Sequence, residues 1–235
     1  MTAITATLVR KLQKLTGAPA DVCRRALKAT DGDLDAAAGQ LRDAARPSTD
    51  TIAGFSNQFL VAMPSLIDSK FSQSVTLLCE HSAQGALGLV INRPTDLRLS
   101  DMLAHMKLEH PALADTEHIV HWGGPVQTER GFVVHNEAGA WDSTLKLSQD
   151  LFITTSRDIL VSIGKGDGPK RFLVALGYAG WGPGQLEDEI LGNSWLNTPV
   201  DRGILFDIPM SSRWQAATRL LGVEVTQLAG PAGHA

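Results

Sequence analysis

The sequence predicts an α+β protein: a mixed, largely antiparallel sheet with flanking helices, preceded by a small three-helix bundle. Three observations support this. The first 46 residues carry apolar side chains at helical spacing. From Phe59 onward, short β-branched or aliphatic segments closed by turn residues alternate with helical segments. Tight connections, such as residues 81–84, are typical of antiparallel hairpins. With 43% hydrophobic residues, the 235-residue chain can fill a substantial core.

Charge and composition divide the chain into four parts. Residues 1–46 hold eight Lys or Arg against five Asp or Glu, and the rest of the chain holds 13 against 20. Residues 47–56 have the polar, Pro-containing and Gly-containing composition of a linker. We therefore predict a helical module at 1–46, a linker at 47–56, a large domain at 57–225 and a flexible tail at 226–235.

Three apolar stripes predict the helices of the N-terminal module, and Asp33 is the expected N-cap of the third helix. The stripes are Leu8, Leu12 and Leu15 in the first helix, Val22, Cys23, Ala26 and Leu27 in the second, and Leu34, Ala37, Ala38 and Leu41 in the third. A bundle of this size has few side chains to enclose a substrate, so it favours binding to a partner over catalysis.

The spacing of T-L-V, T-G-A, C, A-L and G-D in residues 5–44 resembles the N-terminal domain of elongation factor Ts. The resemblance implies a ubiquitin-associated-like fold that contacts elongation factor Tu. It does not extend to that factor's exchange-promoting core, so it does not imply nucleotide exchange. The residues expected to contact the protein partner are Thr16, Gly17, Ala18, Pro19 and Arg24.

Two alternatives remain open for this module. It could pack only on its own C-terminal domain. Its basic residues could also meet nucleic acid, although no aromatic residue lies among them to stack on a base.

The large domain is predicted to contain eight strands and four helices. The strands span residues 59–63, 74–80, 85–91, 118–124, 131–135, 151–155, 171–179 and 203–207. The helices span residues 99–106, 156–164, 184–196 and 211–222, with Ser100 as the expected N-cap of the first.

Four motifs, in order, resemble the signatures of the YqgE/AlgH family: FLVAMPSLIDSKFSQSVTLLCEHSAQGALGLVINRP, HWGGPVQTERGFVVH, SRDIL and LGYAGWGPGQLEDEILGNSWL. The resemblance spans about residues 59–222. It implies an α+β fold with a split mixed sheet curled into a pseudo-barrel. It implies no established activity, although one branch of the family is linked by name to the regulation of alginate synthesis.

The most reactive cluster in the sequence is Cys79-Glu80-His81. In a regular strand Cys79 and His81 share a face, where they could bind a metal or form a thiolate–imidazole pair if His121 or His135 joined them. The alternative is a core cysteine beside a turn histidine.

The next strand ends in Asn92-Arg93, which could form an anion pocket with His81. The alternative is that Asn92 stabilises a turn and Arg93 pairs with an acid.

Two glycine-rich segments are further candidates for ligand binding. The amides of Gly123 and Gly124 could bind an anion, although a tight connection explains them equally well. GYAGWGPGQLEDEI (residues 177–190) resembles a phosphate loop but lacks G-x-G-x-x-G spacing, and its acidic first helical turn repels anions. If a ligand binds there, Gln185 and Glu187 are its expected polar contacts.

Known catalytic arrangements such as G-x-S-x-G, H-E-x-x-H and Walker A do not occur. We therefore predict a non-enzymatic regulatory or adaptor protein in the cytoplasm, without catalytic residues, metal or cofactor. Its N-terminal module binds a protein partner, with elongation factor Tu as a candidate. The acidic large domain argues against direct nucleic-acid binding, and no membrane association is expected. The alternative is that the large domain binds or hydrolyses a phosphorylated small molecule.

Overall fold

The computed structural model describes residues 6–16, 20–30, 32–34, 36–38, 56–66, 68, 70–113 and 116–222. The chain separates into two compact units, Met1–Ile52 and Ala53–Ala235. Among the residues that the structure describes, one buried hydrophobic cluster lies in the smaller unit and three lie in the larger unit.

The smaller unit contains helices α1 (Ala6–Thr16) and α2 (Ala20–Ala29), and residues 34 and 36–38 belong to a third helix, α3. Asp33 precedes α3, and its Oδ1 accepts a hydrogen bond from the Ala36 amide at 3.0 Å, as predicted for an N-cap. Residues of all three predicted stripes are buried together with Val9, namely Leu12, Cys23, Ala26, Leu27, Ala37 and Ala38. The three-helix arrangement also depends on residues outside the described ones, and it stays a prediction.

Ten strands are described in the larger unit. They are β1 (Gln58–Ala62), β2 (Val75–Ser82), β3 (Gly85–Val90), β4 (Pro94–Arg98), β5 (Ile119–Trp122), β6 (Val126–His135), β7 (Thr144–Ser148), β8 (Leu151–Thr154), β9 (Phe172–Trp181) and β10 (Trp195–Pro199). Their order in the sheet is β10-β1-β2-β3-β9-β6-β8-β7, with β5 pairing both β4 and β9.

The pairing is antiparallel throughout the described strands except between β5 and β9. The predicted α+β class with a mixed, largely antiparallel sheet is therefore confirmed for the larger unit. Strand β9 is central: it pairs with β3, β5 and β6, and residues 173–175 are buried in succession because both faces of the strand are covered.

The sheet of the larger unit is covered by five described α-helices: α4 (Leu99–His105), α5 (Arg157–Lys165), α6 (Gln185–Leu191), α7 (Arg202–Phe206) and α8 (Met210–Leu220). Helices α4 and α5 share a buried cluster with Val133 and Val174. Helices α7 and α8 pack against a second cluster around Leu77 and Ala175, while α6 packs against a third around Trp181 and Trp195.

Several local predictions are wrong. Residues 203–207 were expected to form a strand but lie mostly in α7, because the Asp201 carboxylate accepts a hydrogen bond from the Ile204 amide and starts a helix. Residues 195–196, expected at the end of a helix, begin β10. Helix α4 begins at Leu99 and not after a Ser100 cap. Strands β4 and β7 were not predicted, because their side chains are only partly buried.

Candidate functional site

The β2–β3 hairpin carries His81 close to its turn, where Ser82 pairs with Gly85. The Nε2–H of His81 donates to Oε1 of Glu187 in helix α6 at 2.9 Å. The pKa of Glu187 is lowered by a hydrogen bond from its own backbone amide and, to a smaller extent, by the hydrogen bond from His81. The structure therefore brings together two of the predicted ligand contacts, and they bind each other.

A β-bulge at Cys79 separates it from His81. The register of β2 against β3 shifts by one residue between Leu78 and Glu80, so Cys79 is the extra residue. His81 consequently lies on the same face as Leu78, whereas Cys79 packs into the cluster around Leu77 on the opposite face. The prediction that Cys79 and His81 share a face is wrong, because it assumed unbroken alternation.

The Cys79 thiol is buried, and its environment keeps it protonated. Burial, reinforced by the neighbouring Glu80 carboxylate, raises its pKa to about 12. His121 and His135 do not complete a site with it. His121 contacts Val174 and Arg213, and His135 contacts Glu137 and Thr154. Among the described residues, no cluster of three or more His, Cys, Asp or Glu side chains could hold a metal ion.

Asn92 and Arg93 lie at the far end of the same hairpin, away from His81. Asn92 accepts a hydrogen bond from the Val75 amide and donates to the Gln73 carbonyl, both at 2.8 Å. Arg93 donates to the carbonyl of Ser72. Val75 and His81 are six positions apart on β2, or roughly 20 Å at the usual rise of a strand. The predicted anion pocket of His81, Asn92 and Arg93 is therefore not formed. His81 lies beside the turn of the hairpin, whereas Asn92 and Arg93 follow the end of β3 that is farthest from the turn.

The Gly123-Gly124 segment crosses β9 at close range. The Gly123 amide donates to the Leu176 carbonyl at 2.8 Å, so it is already bonded. A Cβ on Gly123 would lie 2.3 Å from the Gly177 carbonyl oxygen, and one on Gly124 would lie 2.1 Å from the Tyr178 carbonyl carbon. The described geometry supports the tight-connection alternative over anion binding.

The GYAGWGPGQLEDEI segment runs from the end of β9 into α6 and organises two tryptophans. Gln185 accepts from the Gly182 amide at 3.0 Å and donates to Glu189 at 2.8 Å. The Oε2 of Glu189 accepts hydrogen bonds from the indoles of Trp181 at 2.9 Å and Trp195 at 2.8 Å. The predicted contact Gln185 thus stabilises the loop and its helix.

Sequence reasoning missed the role of Glu189, although its spacing of four residues from Gln185 on a helix was a usable signal. Of the three aromatic residues near this turn, Trp181 and Trp195 are in contact, whereas Tyr178 packs against Phe132.

The partner-binding residues predicted in the smaller unit are only partly described. Thr16 is the last residue of α1, and Arg24 is exposed on α2. Gly17, Ala18 and Pro19 lie outside the described residues. Among the described helices, each is too short or too polar to cross a membrane.

A cavity of about 320 Å³ in the larger unit was also missed by sequence reasoning. It lies between α4, α5, β6 and β9, and Gly131 of β6 lines it. The available signal was the glycine that begins the predicted strand 131–135, in the segment GFVVH.

Two family models match the chain. A model described as AlgH-like (DUF179) matches residues 59–226, and a model of a UBA-like domain matches residues 6–40. A UPF0301 protein of Thioalkalivibrio sulfidiphilus is 56% identical over 183 residues, which cover 78% of this chain and 98% of that protein. A UPF0301 protein of Methylococcus capsulatus is 52% identical over 178 residues, covering 76% of this chain and 95% of that protein.

Solved structures agree with these matches. The solution structure of the AlgH protein from Pseudomonas aeruginosa has a TM-score of 0.65 and 45% identity, covering 80% of this chain and 100% of that one. A crystal structure of a protein from Corynebacterium diphtheriae, with a TM-score of 0.60 and 21% identity, covers 74% of this chain and 91% of that one and supports the fold alone. The larger unit has the curled antiparallel half-barrel with helices that is characteristic of this fold. The chain therefore belongs to the AlgH-like family.

Proposed function

We propose that this protein is a cytoplasmic, non-enzymatic adaptor whose UBA-like segment binds a protein partner and whose AlgH-like domain is the regulatory part of the molecule. The observation that supports it best is the match of residues 6–40 to a UBA-like domain, joined in one chain to the AlgH-like domain. The resemblance to elongation factor Ts makes elongation factor Tu the candidate partner.

The surface of the smaller unit supports recognition of an acidic protein surface. Its described helices expose Arg10, Lys11, Arg24 and Lys28, while Val9, Leu12, Cys23, Ala26 and Leu27 of these helices are buried in the unit's own core. The rest of the chain has an excess of acidic residues. Because that excess repels phosphates, we propose that regulation is exerted through contacts with proteins and not with DNA.

The binding test uses the full chain and purified elongation factor Tu in isothermal titration calorimetry. We expect a single binding event that Arg24→Glu weakens by roughly tenfold, since the reversed charge faces an acidic surface. Lys146→Glu is the matched control, because Lys146 is exposed on β7 of the larger unit and the charge change is identical. Absence of binding by the unmodified chain would reject elongation factor Tu as the partner. Equal weakening by both variants would reject the predicted surface.

A further inference from the structure

The cavity between α4, α5, β6 and β9 has the composition of a small-molecule site. Its volume of about 320 Å³ is at the lower end of the usual range for such sites, about 300–1,000 Å³. Its apolar wall consists of Met102, Met106, Val133, Leu160, Val174 and Leu176. Met102 on α4 and Met106, the residue that follows α4, are flexible and polarizable, so this side of the wall can adapt to an occupant.

Gly131 leaves open space beside this cavity, and the usual reasons for a strand glycine do not explain it. At Gly85, Gly88 and Gly177, an added Cβ would lie within 3.0 Å of another atom. At Gly131 it would meet no atom within 4 Å, and Gly131 is not among the described residues with positive φ. The register of β6 against β9 is irregular between Val126 and Gly131. The residue with positive φ in this stretch is Gln127, at 46°, and not Gly131. A larger side chain would therefore fit, and its absence enlarges the cavity.

One side of the cavity is polar. Thr154, which is fully buried, lines it together with Thr155 and Ser156. The Thr154 hydroxyl lies 2.8 Å from Nε2 of His135, whose Nδ1 lies 2.8 Å from the Glu137 carbonyl oxygen. Burial lowers the pKa of His135, so the ring is neutral, and with Nδ1–H donating to the carbonyl, Nε2 accepts from Thr154. These groups provide hydrogen bonding without a net charge.

Charges at the opening do not favour an ionic ligand of either sign. Glu129 and Arg157 both line the cavity, and both are exposed. The guanidinium of Arg157 donates to the Met106 carbonyl at 2.7 Å, which holds its charge at the solvent-exposed rim and outside the buried part of the cavity. The first turn of α5, beside the cavity, contains Asp158. Its carboxylate accepts a hydrogen bond from the Ile159 amide, so a negative charge is already present at this helix end. A buried ionic head group would therefore lack a dedicated partner.

We propose that this cavity binds a small, uncharged molecule with an apolar body and a single hydroxyl or carbonyl group. The apolar body occupies the space beside Gly131 and contacts Met102 and Met106. The polar group points toward the Thr155 hydroxyl, because the single proton of the Ser156 hydroxyl is already shared with the Asp142 carbonyl and the Asp158 carboxylate. This site is separate from the adaptor surface of the smaller unit, so either assignment can fail without the other.

The first test follows methionine methyl groups by NMR in the full chain, with 1-octanol as the probe. Of the chain's five methionines, Met102 and Met106 line the cavity, whereas Met63 and Met210 do not. Saturable shifts confined to the Met102 and Met106 methyls are expected. Equal shifts at Met63 and Met210, or shifts that do not saturate, would indicate non-specific association and overturn the proposal.

The second test fills the cavity. Gly131→Leu places its side chain in open space, so the variant is expected to keep the Tm of the original protein or raise it. It should weaken 1-octanol binding by more than roughly tenfold, because the leucine occupies the ligand's volume. Gly180→Leu is the matched control: Gly180 is an exposed glycine in β9, and its added Cβ would make ordinary contact with Tyr178. Unchanged binding by Gly131→Leu would overturn the proposal. If that variant does not fold, the methyl shifts of the original protein decide.

The third test compares 1-octanol with octanoate and octylamine. The two charged probes should bind at least roughly tenfold more weakly, because each would bury a charge without a partner. Tighter binding of either ion than of the alcohol would overturn the assignment of an uncharged ligand. If none of the three probes shifts the Met102 and Met106 methyls, the cavity is a gap in the packing of the core and the proposed ligand site is rejected.

Discussion

At the scale of single residues, the buried pair of His121 and Arg213 shows how strongly location controls protonation. The two side chains are 5% and 6% exposed, and the Arg213 Nη1 donates to the His121 Nε2 at 3.2 Å. The His121 Nδ1–H donates to the Val174 carbonyl. Burial, with the adjacent guanidinium as a second cause, lowers the pKa of His121 to about 4. Protonation of His121 at Nε2 would remove the acceptor of the Arg213 hydrogen bond and would place the imidazolium beside the guanidinium.

This arrangement predicts a loss of stability as pH falls from about 6.5 to about 4. In that window the unfolded state binds a proton that folded His121 does not, so the free energy of unfolding decreases by roughly 1.4 kcal/mol per pH unit for this group. At pH values well above 6.5, His121 is neutral in both states and contributes no pH dependence. Urea unfolding at several pH values measures the effect.

The control for this prediction is His121→Gln, whose side chain has no proton to gain. Burial also lowers the pKa of His118 and His135, so the variant keeps their part of the decline and loses only that of His121. An identical slope in both proteins would contradict the assignment, as would NMR titration of the His121 ring near its ordinary pKa.

At the scale of an element, helix α6 is held in place by its side-chain hydrogen bonds. Leu186 and Ile190 pack against the sheet, while Glu189 accepts from two buried indoles that are 6.0 Å apart. The helix has only seven residues, too few to be stable alone, so these tertiary contacts account for its position.

Glu189→Ala should therefore destabilise the protein by about 2 to 4 kcal/mol, because two buried indole N–H groups would lose their acceptor. Urea unfolding followed by tryptophan fluorescence measures this change. Glu187→Ala is the control on the same helix: its side chain is 44% exposed, so losing its hydrogen bond to His81 should cost much less than the loss of Glu189. Similar losses in the two variants would contradict the role given to Glu189.

At the scale of the whole molecule, the two compact units differ in their capacity for stability. The smaller unit buries a cluster of mostly small or medium side chains, including three alanines. The larger unit buries three clusters around a ten-stranded sheet. A domain of about 50 residues buries a smaller fraction of its surface than one of about 180, so the smaller unit should be the less stable of the two.

The two cysteines report on the two units separately. Cys23 is buried in the smaller unit and Cys79 in the larger. In pulsed alkylation of the full chain across a urea series, read out by peptide mass spectrometry, Cys23 should become reactive at a lower urea concentration than Cys79. Reaction of both thiols at one common midpoint would indicate that the units unfold together. Fast reaction of Cys79 without urea would contradict its burial and its raised pKa.

Several features of this protein could be derived from the sequence alone. Alternating and continuous apolar segments located seven of the strands, and hairpin connections indicated a largely antiparallel sheet. The Asp33 cap was predictable because it depends on neighbours within three residues. These features are local, so each is encoded within a short stretch of sequence.

The candidate sites depended on tertiary structure. One inserted residue at Cys79 moved His81 to the other face of β2, where Glu187, 106 positions away, is its partner. The cavity beside Gly131 exists because α4 and α5 cross β6 and β9, a juxtaposition that no local pattern specifies. The sequence by itself determined the fold class, the family resemblance and most elements. Which polar side chains meet was decided by strand register and helix docking, because both depend on contacts between residues far apart in the chain.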